Sequence, residues 1–136
     1  MKVLAICGSP RRRGNTETLL DVVSDALTAA GVTAEKVLLA GKAIGGCTAC
    51  LKCREARDGR CHGREDDLTP VFPDIYEAEG LILGSPVYFG AATPEMAAFI
   101  TASVTEVART AACYVARWER RSSWDGAPAI TSRWRS

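Results

Sequence analysis

The sequence predicts an α/β fold built on a doubly wound parallel sheet. Three observations carry this. Short apolar runs, above all Lys2-Val3-Leu4-Ala5-Ile6-Cys7 and Leu81-Ile82-Leu83-Gly84, read as strands buried on both faces. Stretches with helical spacing alternate with them, which is the order of a βαβ sheet. Gly-Ser-Pro turns at Gly8-Ser9-Pro10 and Gly84-Ser85-Pro86 punctuate both runs.

Taken in order, Lys2 to Cys7 is the first strand. Asn15 or Thr16 is expected to cap the helix that follows. Its expected apolar face is Leu19, Leu20, Val22, Val23, Ala26 and Leu27, and Gly31 stops it. Ala34 to Leu39 is the second strand, and a cysteine-bearing loop over 45–65 comes next. Asp66, Asp67 and Thr69 before Pro70 signal a helix start with proline in the first turn. Pro73 keeps that helix short or irregular. Leu81 to Gly84 is the third strand, and Thr93-Pro94-Glu95-Met96 opens a helix through Phe99 and Ile100. Three strands can be counted where a doubly wound sheet of this type has five. No internal repeat is visible.

The 136 residues suffice for one domain, and a formal net charge of +1 gives no argument for nucleic acid. The run Val3 to Cys7 is too short for a signal-peptide core and leads into Arg11-Arg12-Arg13 rather than a cleavage site. No stretch approaches the roughly 18 apolar residues of a membrane span. The expectation is a cytoplasmic protein without membrane partners. Its six cysteines are then expected to be reduced, which favours metal or redox chemistry over disulfides. Cys7, at the end of a strand, reads as a small buried hydrophobe.

Ser9-Pro10-Arg11-Arg12-Arg13-Gly14-Asn15-Thr16 lies between a strand and a helix. Backbone N–H groups and the helix N-terminus favour an anion there. Ser9, Asn15 and Thr16 add short polar donors, and Arg11 can fork onto phosphate oxygens. The plainer alternative is a capped turn with solvated arginines; the whole string after a strand favours phosphate. In the second loop, Gly84-Ser85-Pro86-Val87-Tyr88-Phe89-Gly90, the glycines permit close backbone approach. Tyr88 and Phe89 offer aromatic faces to a flat ring, with core packing as their alternative role.

Cys47, Cys50, Cys53 and Cys61 stand as Cys-x-x-Cys-x-x-Cys-x₇-Cys. Thiolates this close can hold a soft metal centre. Gly45, Gly46 and Gly59 are expected to supply the tight bends of the loop. Three cysteines at successive intervals of three suit an iron–sulfur cluster wrapped by one loop. Structural zinc sites more often pair two Cys-x-x-Cys knuckles across a longer spacer. Iron–sulfur, zinc and no metal all stay open on spacing alone. Lys52, Arg54, Arg57, Arg60 and Arg64 around the cysteines would offset a cluster's negative charge, face an acidic electron donor, or be merely solvated. His62, the sole histidine, is expected at the surface.

The first loop, Ile6 to Arg11 with Gly14-Asn15-Thr16, resembles the flavin-phosphate loop of the NADPH-dependent FMN reductase family. Gly84 to Gly90 is similar to that family's second flavin loop. The four clustered cysteines resemble the motif of its iron–sulfur flavoprotein branch, where they bind a 4Fe-4S cluster beside FMN. The likeness covers residues 2 to 100. It implies a flavodoxin-like fold with FMN at the carboxyl ends of the strands. Ser9, Arg11, Asn15 and Thr16 would hold the phosphate; Pro86, Val87, Tyr88, Phe89 and Gly90 would wrap the ribityl chain and the flavin edge. Cys47, Cys50, Cys53 and Cys61 would be the cluster ligands. No acid–base residue is identifiable.

Residues 1–100 thus form the FMN-binding region, and 101–136 read as atypical. All three tryptophans fall after residue 100, and no lysine does. Members of the resembled family continue past this point with an Asp-Arg pair and a glycine-rich strand. Here Thr101-Ala102-Ser103 follows Ile100. Reading the codons one base earlier permits, past Thr110, the string GGMLRGKVGAAVVVGRRAGHNFAVA. The glycines after Trp118 and Trp124 in that frame are forced by the single tryptophan codon. A tail translated out of frame is therefore expected, and with it a sheet lacking its last strands.

Three function classes result. One is an FMN-dependent oxidoreductase passing electrons from NADH or NADPH to a flavin, quinone or similar acceptor, the cofactor carrying the chemistry. The second is an electron carrier in which a ferredoxin-like donor reduces a 4Fe-4S cluster and the cluster reduces FMN. A zinc-stabilised module without catalysis is the third possibility. The resemblance also implies a homo-oligomer for an intact family member.

Overall fold

The computed structural model describes residues 1–110 apart from Gly59, with side chains through Ser103. The strands are β1 (Lys2–Cys7), β2 (Thr33–Leu38) and β3 (Gly80–Gly84). They form one parallel sheet in the order β2-β1-β3. Register runs Lys2 against Thr33 through Cys7 against Leu38, and Val3 against Gly80 through Cys7 against Gly84. The mixed α/β architecture with its central β1 is flavodoxin-like. Helix α1 (Asn15–Ala29) links β1 to β2. A short helix α2 (Lys52–Ala56), a 3-10 turn (Thr69–Val71) and helix α3 (Phe72–Glu77) lie between β2 and β3. After β3 come β4 (Val87–Tyr88), β5 (Ala91–Ala92) and helix α4 (Pro94–Thr110).

Because strand side chains alternate, β1 feeds two unequal cores. Leu4 and Ile6 join Leu39, Leu68, Val71, Phe72, Ile75, Met96, Phe99 and Ala102 beneath α3 and α4. On the other side Ala5 and Cys7 meet only Leu20 of α1 as a buried cluster, with Leu38 and Ile82 partly covered. Cys7 is buried, as its sequence position suggested.

The apolar face of α1 departs from expectation. Leu20 is buried and Leu27 half-buried, while Leu19, Val22 and Val23 are exposed. The physical reason is coverage. Leu19, Val22, Val23 and Ala26 follow helical spacing, but they point away from the sheet, and no described element packs over them. The cap also differs. Gly14 is the N-cap of α1 and no side chain caps it, so Asn15 and Thr16 are the first helical residues. At the other end Gly31 takes φ +80°. The Val32 N–H reaches Leu27 O at 2.9 Å and the Gly31 N–H reaches Thr28 O at 3.0 Å. This is a Schellman closure, which needs the left-handed residue that glycine supplies.

Proline at Pro70 and Pro73 divides the next helical stretch into the 3-10 turn and the six residues of α3. Helix α4 runs through Thr110, past the expected boundary at Ile100. The rest of the expected out-of-frame tail, residues 111–136, lies outside the described residues.

Candidate functional site

The two loops expected to hold FMN meet at the carboxyl edge of the sheet. The pairing of β1 with β3 continues into them, as the Gly8 N–H donates to Gly84 O at 2.7 Å. The Thr93 hydroxyl donates to Gly8 O at 2.6 Å and accepts the Met96 N–H at 3.3 Å. Thr93 is fully buried and opens α4 as an N-cap. It therefore ties the first loop to the start of the last described helix. A Cβ on Gly8 would lie 2.7 Å from Met96 Cβ and 3.2 Å from Thr93 Oγ1, so the close approach requires glycine. Gly84 plays the same part under α1, where a Cβ would meet Leu20 Cδ1 at 2.9 Å.

Within the first loop, Ser9 is buried. Its hydroxyl donates to Arg11 O at 3.1 Å and accepts the Arg11 N–H at 3.2 Å. It shapes the turn with the groups that were expected to face phosphate. Arg11 and Asn15 are exposed and Thr16 is half-buried. Arg13 takes φ 56°, and its N–H donates to Glu17 Oε2 at 2.6 Å. Lys36 of β2 lies 3.0 Å from Glu17 Oε1 and 2.6 Å from Asp21 Oδ1. The Arg13 N–H, and then Lys36, hold the Glu17 carboxyl below its ordinary range. The same carboxylates hold Lys36 above its ordinary value, Asp21 first and then Glu17. Thr93 opens α4 as the sequence leads one to expect, whereas its bond to Gly8 and the role of Glu17 are not legible there. A threonine three residues before Met96 is a visible capping signal, whereas the bond from Arg13 to Glu17 depends on a left-handed residue.

In the second loop, β4 and β5 form a two-residue hairpin pairing Val87 with Ala92 and Tyr88 with Ala91. Phe89 and Gly90 turn it with φ 50° and 83°. Two positive φ values are the mark of a type I′ turn, which suits hairpin twist. Phenylalanine is an uncommon residue in that conformation. Its ring is fully exposed, and Val87 and Tyr88 are exposed beside it. Core packing is therefore not the role of Phe89. Pro86 is half-buried, and the Ser85 hydroxyl braces the loop by donating to Pro86 O and accepting the Thr93 N–H.

The cysteine loop closes on itself. The Ala43 N–H donates to Asp67 Oδ2 at 2.7 Å, the Gly45 N–H to Asp66 Oδ2 at 3.0 Å, and the Asp67 N–H to Ala43 O at 3.2 Å. Between these ties, Cys47, Cys50, Cys53 and Cys61 all line one cavity with His62, Gly63, Arg64, Phe72 and Ala102. Cys47 and Cys50 are exposed; Cys53 and Cys61 are half-buried. Left-handed backbone falls on Ala49, Leu51 and Arg57, not on the expected Gly45 and Gly46, and Gly59 lies outside the described residues. Gly63 is the glycine that packing requires here, since a Cβ on it would sit 2.5 Å from Cys50 Sγ. The Lys52 N–H, and to a lesser degree the Thr48 hydroxyl, hold the Cys50 thiol below its ordinary value, which favours the ligating thiolate. His62 is at the surface as expected, 2.9 Å from Asp58.

The donor set fits a thiolate-ligated cluster, in which each of four irons takes one sulfur. Among the described residues no three Cys, His, Asp or Glu side chains gather around a single point as one ion needs. The cavity itself, about 20 Å³, has room for one water. A four-iron cube is larger than that, so the loop would have to open to hold one. Helix α4 touches both regions, with Thr93 at its start bonded to the first glycine loop and Ala102 on the cysteine cavity. Nine residue steps separate them, roughly 14 Å along the axis.

The chain is 40% identical over 96 residues to an iron–sulfur flavoprotein of Methanocaldococcus jannaschii, covering 71% of this chain and 48% of that protein. It is 38% identical over 100 residues to an iron–sulfur flavoprotein of Archaeoglobus fulgidus, covering 74% and 44%. The chain thus spans about half the length of the curated relatives it matches. A solved structure, RosB with bound 8-demethyl-8-formylriboflavin-5'-phosphate, is similar in fold with a TM-score of 0.53 at 22% identity, covering 70% of this chain and 38% of that one. The family profile described as NADPH-dependent FMN reductase matches residues 1–123, further along the chain than the likeness read from the motifs. By that match the chain belongs to the NADPH-dependent FMN reductase family.

Proposed function

We propose that this chain is an FMN-dependent oxidoreductase of the iron–sulfur flavoprotein kind, which takes electrons at its cysteine loop and delivers them to FMN. The observation that carries the reading is the convergence of Cys47, Cys50, Cys53 and Cys61 on one cavity. The names of the relatives support it. Bound cluster and FMN would supply the redox chemistry. The protein's part is positional. Arg11, with the N-terminal turn of α1 at Asn15 and Thr16, would bind the phosphate. Ser9 would keep the loop in shape from beneath, through its bonds to Arg11. Pro86 to Gly90 would lie along the ribityl chain and ring, with the exposed Phe89 and Tyr88 shielding the flavin from water.

The second reading is direct reduction of FMN by NADH or NADPH, with a flavin or quinone as acceptor. The family's description favours it. Anaerobic purification followed by absorption spectroscopy tests the first reading. Flavin bands with a broad iron–sulfur shoulder are expected, and flavin bands alone, or a colourless zinc-bearing protein, overturn it. Adding NADH or NADPH, and separately a reduced ferredoxin, then separates the donors by which one bleaches the flavin.

A further inference from the structure

Five cations surround the cysteine loop, and the fold treats one of them differently. Among the described residues lining the cavity, Arg64 is the one permanent cation. Lys52, Arg54, Arg57 and Arg60 are exposed. The Arg64 side chain is 16% exposed and faces Asp66, itself 12% exposed. Its Nη1 donates to Gly46 O, which joins the exit of the loop to its entrance. Its Nε lies 2.7 Å from Asp66 Oδ2, but the N–H is not aligned to make a hydrogen bond there, and Nη2 has no partner. Burying a guanidinium donor unsatisfied is costly. A loop staple alone would not need it, since Nη1 already reaches Gly46.

We infer that Arg64 is a positioning residue for an anionic sulfur cluster: Asp66 and Gly46 hold the guanidinium at the cavity wall, and its unpaired Nη2 donates to a cluster or ligand sulfur. This rests on the cluster reading above. Hydrogen bonds to the sulfurs and nearby charge set a cluster's reduction potential. A fixed cation favours the reduced, more negative state, so Arg64 would raise the potential and ease electron entry. The other four cations, solvated and screened, would contribute little.

The test uses the full 136-residue chain, reconstituted anaerobically with iron and sulfide. Iron per chain and the reduction midpoint are measured for the unmutated protein, Arg64→Gln, Arg64→Lys and the control Arg54→Gln. Arg64→Gln is expected to keep its iron and to be about tenfold harder to reduce, a shift of about 59 mV for a one-electron couple. Arg64→Lys should recover most of that shift, and Arg54→Gln should match the unmutated chain. Full iron with an unchanged midpoint in Arg64→Gln overturns the proposal and leaves Arg64 a staple. If Arg64→Gln loses its iron, Arg64→Lys decides. Recovered iron supports the role of the charge, and continued loss overturns it. Iron missing from the unmutated chain defeats the cluster reading and this proposal together, a failure visible before any variant is compared.

Discussion

The Thr93 hydroxyl donates a 2.6 Å hydrogen bond to the carbonyl of Gly8, residues 85 apart in the chain. This contact, together with the Met96 N–H donating to the Thr93 hydroxyl oxygen, ties the first loop to the start of α4. Both partners are buried, so removing the hydroxyl strands the Gly8 carbonyl and an N-terminal N–H of α4. Thr93→Val, which keeps the shape, should destabilise the chain by about 1–3 kcal/mol. Gly8→Ala should cost a similar amount by forcing Met96 aside. Thermal melts of both variants check this, and an unchanged melt in Thr93→Val would deny the bond its role.

Glu17 makes part of the stability depend on acid. Its folded-state pKa lies below the ordinary 4.5 because of the Arg13 N–H and then Lys36. A carboxylate with a depressed folded pKa stabilises above its unfolded value and loses that contribution as pH falls through the folded one. Melting temperature should therefore drop as pH falls below about 4.5. Glu17→Gln should melt lower at pH 7 and lose less on acidification than the unmutated chain. Parallel pH dependence in the two proteins would show that Glu17 is not linked to folding.

Arg11 carries the phosphate part of the FMN reading. It is exposed, and a charge-assisted contact to phosphate is typically worth ~1.5–3 kcal/mol. Arg11→Ala should weaken FMN binding at least tenfold and leave riboflavin, which has no phosphate, nearly unaffected. Titrations followed by flavin fluorescence measure both. Equal loss for both flavins would move Arg11 away from the phosphate.

Much of this was legible in the sequence because it is local. The strands β1 and β3 are continuous apolar runs, and the proline pair announces a broken helix. The loops were legible by their Gly-Ser-Pro turns. What escaped depends on contacts distant in sequence or on conformations foreign to the residue. Two-residue strands such as Val87–Tyr88 carry no period to detect. Left-handed Ala49, Leu51 and Phe89 occupy places where glycine is the default expectation. The Arg64 tie to Gly46 spans 18 residues of loop. The exposed stripe on α1 is the reverse case, a correct helical period whose covering element does not lie among the described residues.

The cysteines should act as a set. Replacing Cys47, Cys50, Cys53 or Cys61 singly by Ala should abolish iron incorporation, while Cys7→Ala, in the core beneath α1, should not. Gly63→Ala tests the packing directly, because the added methyl would press on Cys50 Sγ at 2.5 Å. Iron per chain should fall well below that of the unmutated protein while the melt changes little. Full iron in Gly63→Ala would mean that the loop opens between Gly63 and Cys50 when iron binds, while the single cysteine variants still decide which thiols ligate.

The reading frame of residues 101–136 has a physical consequence that can be measured. In the described residues α1 packs on the sheet through Leu20, while Leu19, Val22 and Val23 stay exposed, and the sheet has three parallel strands where this fold type has five. Apolar area removed from water stabilises at roughly 25 cal/mol per Å². A further strand and helix over α1 and β3 would therefore outweigh most single substitutions. If the tail is out of frame, restoring one base near the codon of Thr101 should give a longer protein that melts cooperatively, holds FMN and binds less of a dye that reports exposed apolar surface. The 136-residue chain should bind more dye and less FMN. Sequencing the gene afresh provides the independent check, since an intact frame removes the premise. Stoichiometric FMN and a cooperative melt in the 136-residue chain would instead make residues 101–136 a working part of the fold, in keeping with a family match that runs to residue 123.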